Sequence, residues 1–308
     1  MRITLLLLLG FLFIASGCTN SSDTNPFKDL DLEEIKMEVI YGDDNRQDLY
    51  QVTDQMKYTL SNSTVALIYK ENLEPLDGNN TKIKSRSYAK TYQLCPEEPF
   101  YEQDVAAFCS GFLVGPQTII TAGHCIRAQT CERTRFVFGY AITTAGQNPQ
   151  LVPNENVYSC ASVTHSQQLR EEEPGPDFAV VTLDRQVTGH APLSLRTQDN
   201  IQNSEPLFVV GHPAGLPTKV AGGANVRDTS HEAFFIANLD TYGGNSGSAV
   251  FNENTGSVEG ILVRGELDYV TKKGSNCQVS NVCKNDGCMG EHVTRIKYVL
   301  PYLNKDIF

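Results

Sequence analysis

A succession of short apolar runs, each four to eight residues long and separated by Gly, Pro, Asn or Asp, limits what this chain can become. They are VALIY at 65–69, SGFLVG at 110–115, TIITAG at 118–123, RFVFGY at 135–140 and DFAVVTLD at 177–184. The second half continues with PLFVVG at 206–211, AFFIANL at 233–239, SAVF at 248–251 and EGILVRG at 259–265. Runs of this length, with no long helical period between them, read as strands of antiparallel barrels or a sandwich. Only the end looks helical: Val293, Ile296, Val299, Leu300 and Leu303 fall on one face of residues 293–304, with Pro301 bending or interrupting it. With 308 residues, 40% of them apolar, the chain can bury a full core.

The N-terminus reads as an export signal. Met1-Arg2 precedes an apolar run, Ile3 to Ala15, that is too short and too N-terminal for an ordinary membrane span. The run ends in IASGC at 14–18, similar to the lipobox of bacterial lipoproteins, although Ala15 stands where leucine is usual. Lipidation would make Cys18 a membrane anchor; cleavage after Gly17 by an ordinary signal peptidase would leave the protein secreted. Residues 19–38 are polar and acidic and read as a tether or pro-segment, and the core begins near Val39. The net charge of -11, with no basic run, argues against nucleic acid and against an anionic membrane surface. A monomer is expected.

Nine cysteines less Cys18 leave eight, an even set that in an exported chain reads as disulfides. Zinc on Cys277, Cys283, Cys288 and His292 is the competing reading, but the spacing matches no closed zinc pattern. No metal is expected.

The chemistry gathers around TYGGNSGSAVF, residues 241–251, with Ser246 at its centre. A serine between glycines on a tight turn exposes its hydroxyl and lets backbone N–H groups converge on an oxyanion, though such a turn is also an ordinary loop. The base it needs is His124 in TIITAGHC, where an apolar strand ends against a cysteine. Paired with Cys109, Cys125 would hold that strand end and close a loop of about 16 residues, worth roughly 3 kcal/mol. His165, His190, His212, His231 and His292 have no such context and read as structural. The carboxylate is Asp177, which opens the apolar run DFAVVTL, where a buried charge needs donors such as an imidazole N–H.

In that order, CSGFLVGPQTIITAGHC, DFAVV and DTYGGNSGSAVF resemble the histidine, aspartate and serine blocks of chymotrypsin-like serine proteases. GGNSGSAVFNE and EVIYGDDNRQDLYQV are similar to the bacterial glutamyl-endopeptidase branch. The resemblance implies an all-β fold of two antiparallel six-stranded barrels: a protease domain over 39–308, with one barrel at about 60–187, the other at about 188–290 and a helix at 293–304. It implies Ser246 as nucleophile, His124 as base, Asp177 as its partner, and the N–H groups of Gly244 and Ser246 as the oxyanion hole. No cofactor is implied, and the partners are protein or peptide substrates at the cell envelope or outside it.

Two departures stand out. Asn245 occupies the place of the aspartate that receives the new N-terminus in animal trypsins, and GILVRG at 260–265 lacks the pocket histidine of the glutamyl endopeptidases. Asp240 lies where trypsins carry the aspartate that reads a basic side chain, with Thr241, Arg264 and Gly265 as further pocket residues. Basic specificity is therefore expected, unless Arg264 neutralises Asp240 or itself attracts an acidic side chain. The alternative to an enzyme is a catalytically silent member of the fold that serves as a binding module.

Overall fold

The computed structural model describes residues 39–168 and 175–304. The expected export signal, Cys18 and the 19–38 segment lie outside the described residues. Among the described residues no helix is long and apolar enough to cross a membrane.

The apolar runs become two closed antiparallel barrels. The first is built from β1 (Thr64–Tyr69), β2 (Cys109–Gly115), β3 (Thr118–Thr121), β4 (Thr134–Phe138), β5 (Val157–Gln167) and β6 (Phe178–Leu183). Its strands run β4-β5-β6-β3-β2-β1, and β1 closes on β4. Both faces of β1 are buried, which explains why VALIY does not alternate with polar residues. Val65 and Leu67 join Phe112, Phe136 and Phe138 in one core, while Ala66 and Ile68 face a second cluster with Ile83, Val137 and Val152. That second cluster lies with a small outer sheet, Leu73–Pro75, Asn80–Ile83 and Leu151–Pro153.

The second barrel comprises β7 (Pro206–Gly211), β8 (Lys219–Asp228), β9 (Phe234–Ala237), β10 (Ala249–Asn252), β11 (Val258–Arg264) and β12 (Glu291–Arg295). They run β7-β10-β11-β12-β9-β8 and close through β7–β8 pairing, with the short strand Arg46–Asp48 added on β8. Here too the period of two sorts side chains. Leu207, Val209, Val250, Leu262 and Val293 share one cluster with Phe235. Their neighbours Phe208, Val210, Ala249, Phe251 and Ile261 belong to the same core as Val65 and Phe112, so the two barrels share one apolar contact.

The helix expected at 293–304 does not form. Residues 291–295 are strand β12, held on both sides by β9 and β11, and 3-10 turns follow at Ile296–Tyr298 and Leu300–Tyr302. Pro301 has no N–H to continue a helix, and the β12 amides are already committed to two ladders. The second barrel therefore runs on through Arg295, beyond the expected limit near 290.

All eight remaining cysteines are paired: Cys109–Cys125, Cys131–Cys160, Cys95–Cys277 and Cys283–Cys288. The grouping considered for zinc is thus divided between two disulfides.

Candidate active site

His124 sits in a one-turn 3-10 segment, Gly123–Cys125, directly after β3, and Asp177 directly precedes β6, which pairs with β3. The ladder therefore brings the two together. The Asp177 carboxylate accepts from the Gly123 N–H at 2.6 Å and the His124 N–H at 3.2 Å through Oδ1, while Oδ2 lies 2.9 Å from His124 Nδ1. Asp177 is buried and its own N–H donates to Thr294 Oγ1 on β12 at 3.1 Å. A buried carboxylate with three donors is fully compensated, and the ring that completes the set is held in one orientation.

Ser246 lies on the turn before β10, where Gly244 and Gly247 have φ of 100° and 91°, values open to glycine but costly for other residues. Crowding reinforces the choice at Gly247: a Cβ there would fall 2.1 Å from the Ser110 carbonyl oxygen. The turn is braced from β2. The Ser110 N–H donates to the Ser246 carbonyl at 2.9 Å, and the Ser110 hydroxyl donates to the Gly244 carbonyl at 2.9 Å while accepting from the His212 N–H. Next to Ser110, Cys109 is bonded to Cys125, the neighbour of His124. One strand thus holds both the serine turn and the histidine turn, one from each barrel. Sequence reasoning missed Ser110 and Thr294; a hydroxyl inside an apolar strand was the available signal for both.

The sequence model of the trypsin-like peptidase domain matches residues 109–261, which include His124, Asp177 and Ser246. A glutamyl endopeptidase of Bacillus licheniformis is 27% identical over 154 residues, covering 48% of this chain and 46% of that protein, so the chain spans about half the length of the curated relative. Among solved structures, the Vibrio cholerae VesB protease aligns with a TM-score of 0.50 and 14% identity over 87% of this chain and 68% of its own. A Glu endopeptidase aligns with a TM-score of 0.50 and 17% identity over 86% of this chain and 98% of its own. At such identities these two are likenesses of fold. The chain belongs to the trypsin-like peptidase family.

In this trypsin-like peptidase chain the remaining candidates Asp240, Thr241, Asn245 and Gly265 are buried, and Arg264 is partly buried. Asp240 is buried, and both carboxylate oxygens accept backbone N–H groups of the N-terminal segment, Tyr41 at 2.7 Å and Asn45 at 2.8 Å. Burial is the dominant influence on it and pushes its pKa up to about 6. Arg264 is not paired with Asp240: its Nε donates to His292 Nδ1 at 3.0 Å. Thr241 is buried, and its N–H donates to the Val39 carbonyl at 3.3 Å. Gly265 leaves room for a group not singled out in the sequence. A Cβ on Gly265 would fall 1.9 Å from Oε2 of Glu291, a completely buried residue of β12. Asn245 is buried and neutral, its Oδ1 accepting from the Ser248 hydroxyl at 3.2 Å.

Proposed function

We propose that this chain is a serine endopeptidase that hydrolyses peptide bonds through an acyl-enzyme on Ser246. His124 takes the hydroxyl proton and returns it to the leaving amine, while Asp177 holds the proton of the resting ring on Nδ1 and stabilises the imidazolium. The N–H groups of Gly244 and Ser246 receive the oxyanion, on a turn whose conformation is braced by Ser110. The observation that carries this reading is the Asp177 carboxylate gripping both the backbone and the ring of His124. With Nδ1 donating to Asp177, Nε2 bears the lone pair that a base requires. The substrates are proteins or peptides, and the reaction needs no cofactor.

A fluorophosphonate probe tests the reading. Labelling of the purified protein that disappears in Ser246→Ala is expected, with turnover down about 10⁶-fold in that variant. Labelling that persists in Ser246→Ala overturns the assignment, and a wild type that never labels favours the silent binding module. Export and anchoring through Cys18 are tested separately: Cys18→Ser should move the protein from the membrane fraction to the soluble one.

A second reading concerns the residue before the scissile bond. A basic preference rested on an open Asp240 carboxylate, and both of its oxygens are engaged by Tyr41 and Asn45. Support passes to an acidic preference, with Arg264 on the pocket strand as the cation and with a relative named as a glutamyl endopeptidase. A mixed peptide library decides: cuts after Glu or Asp that weaken in Arg264→Gln support it, and cuts after Arg or Lys restore Asp240.

A further inference from the structure

A cleft of about 480 Å³ opens between the turn that follows Arg46–Asp48 and the loop 96–103, and none of the candidate active-site residues lines it. Its size falls among sites that receive small ligands or short segments, about 300–1,000 Å³. The rings of Tyr50, Phe100 and Tyr101 line it, and so do the side chains of Glu98 and Glu102. Tyr50 is 44% exposed, a large ring left in water at the edge of a cavity.

Buried charge holds the cleft open. Lys219 is buried, and its ammonium donates to Asp48 Oδ1 at 2.6 Å, to Gln103 Oε1 at 2.8 Å and to the Pro217 carbonyl at 3.0 Å, so one cation joins both walls. Gln103 Nε2 donates back to Asp48 Oδ2 at 2.7 Å, and Cys95–Cys277 pins the start of the loop. Phe100 is kept at φ of 63°, costly for a bulky residue, with Lys219 Nζ 4.7 Å and the Arg46 guanidinium 5.3 Å from its ring centroid. Both of those cations already have a carboxylate, Asp48 for Lys219 and Asp44 for Arg46. Glu98 accepts from the Ser280 hydroxyl and Glu102 is exposed; among the described residues neither has a cation.

Aromatic faces beside two unneutralised carboxylates favour one kind of occupant. A guanidinium is planar and weakly hydrated, stacks on rings and is matched by carboxylates, whereas an anion would be repelled and an apolar group would leave both acids unpaired. The net charge of -11 adds attraction for cations at longer range. The cleft is also within reach of the reaction centre. Gln103 stands six residues before Cys109, whose Cα lies 6.1 Å from that of Cys125, so this wall is at most about 32 Å from His124. About ten extended residues cover that span.

We propose that this cleft is a second recognition site, separate from Ser246, that holds an arginine-bearing segment of the protein substrate against Tyr50, Phe100 and Tyr101 with Glu98 and Glu102 as its counter-ions. Its part in choosing a substrate rests on the protease reading; the binding itself does not.

Binding is measured on Ser246→Ala, which cannot turn a peptide over. The probes are fluorescein-labelled Gly-Arg-Ala-Arg-Gly and the same peptide with citrulline for arginine, which keeps the shape without the charge. Fluorescence anisotropy should show the arginine peptide binding at least about tenfold more tightly. Adding Glu98→Gln with Glu102→Gln should abolish that preference, and Tyr50→Ser should weaken binding at least about threefold. Glu132→Gln with Glu155→Gln removes two exposed charges elsewhere and should leave the affinity within about twofold. Equal binding of both peptides overturns the site. So does a Tyr50→Ser variant without effect, or a Glu132 and Glu155 pair that matters as much as Glu98 and Glu102, since diffuse surface charge would then account for the attraction. In the active protein, joining the arginine peptide to a cleaved peptide through about fifteen Gly and Ser residues should lower KM at least about fivefold with kcat unchanged. Binding with an unmoved KM overturns the link to substrate. If nothing is turned over, the protease reading fails, and the anisotropy still decides the cleft.

Discussion

Asp177 grips His124 at two points, the backbone N–H at 3.2 Å and ring Nδ1 at 2.9 Å, so the carboxylate fixes both where the histidine stands and which way its ring faces. Replacing it with the isosteric amide keeps the volume but reverses half of the hydrogen-bond polarity. Asp177→Asn should therefore fold and lose about 10⁴ in kcat, because the ring is driven to the wrong tautomer. Steady-state kinetics on a peptide ester checks this; a loss under tenfold would show that Asp177 does not orient the base.

Ser110 carries the second prediction. Its hydroxyl joins the Gly244 carbonyl to the His212 N–H, both at 2.9 Å, in a fully buried position. Ser110→Ala leaves both groups without a partner, at a cost of about 2–4 kcal/mol. The fluorophosphonate labelling rate should fall at temperatures where the variant is still folded by circular dichroism. An unchanged rate would assign Ser110 to stability alone.

At Gly247 the backbone has φ of 91°, and any Cβ meets the Ser110 carbonyl oxygen at 2.1 Å. The contact is with backbone on both sides, so no rotamer relieves it. Gly247→Ala should cost about 3 kcal/mol, which for a domain of this size lowers Tm by roughly 6 °C. Differential scanning calorimetry measures it directly.

These sites differ in how far they could be read from the chain itself. His124, Asp177 and Ser246 each sit in a contiguous block where an apolar strand meets a turn, so each candidate could be picked out locally. Ser110 with Gly244, Tyr41 with Asp240 and Val39 with Glu291 are 134, 199 and 252 residues apart. Such pairs exist only once both barrels are closed, so nothing local announces them. The failed helix has a different cause. Apolar residues at 293, 296, 299, 300 and 303 satisfy a helical period, but the same positions serve a strand that buries Val293 and two 3-10 turns that bury Ile296 and Val299. Pro301 was the residue that decided between them.

The disulfide Cys95–Cys277 spans 182 residues and ties the segment before β2 to the hairpin in which Tyr269–Thr271 pairs with Gln278–Ser280. A bridge closing so long a loop removes much of the freedom of the unfolded chain, about 5 kcal/mol in the chain-entropy model. Cys95→Ser with Cys277→Ser should lower the denaturation midpoint accordingly. Because His124 and the Ser246 turn are braced by Cys109–Cys125 and by Ser110 instead, kcat should change much less than stability.

Asp240 offers a pH test whose sign follows from its burial. Its pKa is raised to about 6 in the folded protein, so the folded state binds the proton more tightly than the unfolded chain does. The resulting stability is fully present below the unfolded carboxylate pKa, near 4, and is lost as pH rises through about 6. The difference amounts to about 3 kcal/mol across that window. Asp240→Asn has no proton to exchange, so urea unfolding of wild type and variant between pH 4 and 7 should diverge: wild type loses stability relative to the variant as pH rises. The two backbone donors at Tyr41 and Asn45 act in the opposite sense and limit the size of the effect. A constant difference over the whole range would mean that the N-terminal segment holds Asp240 ionised throughout, with Tyr41 and Asn45 outweighing its burial.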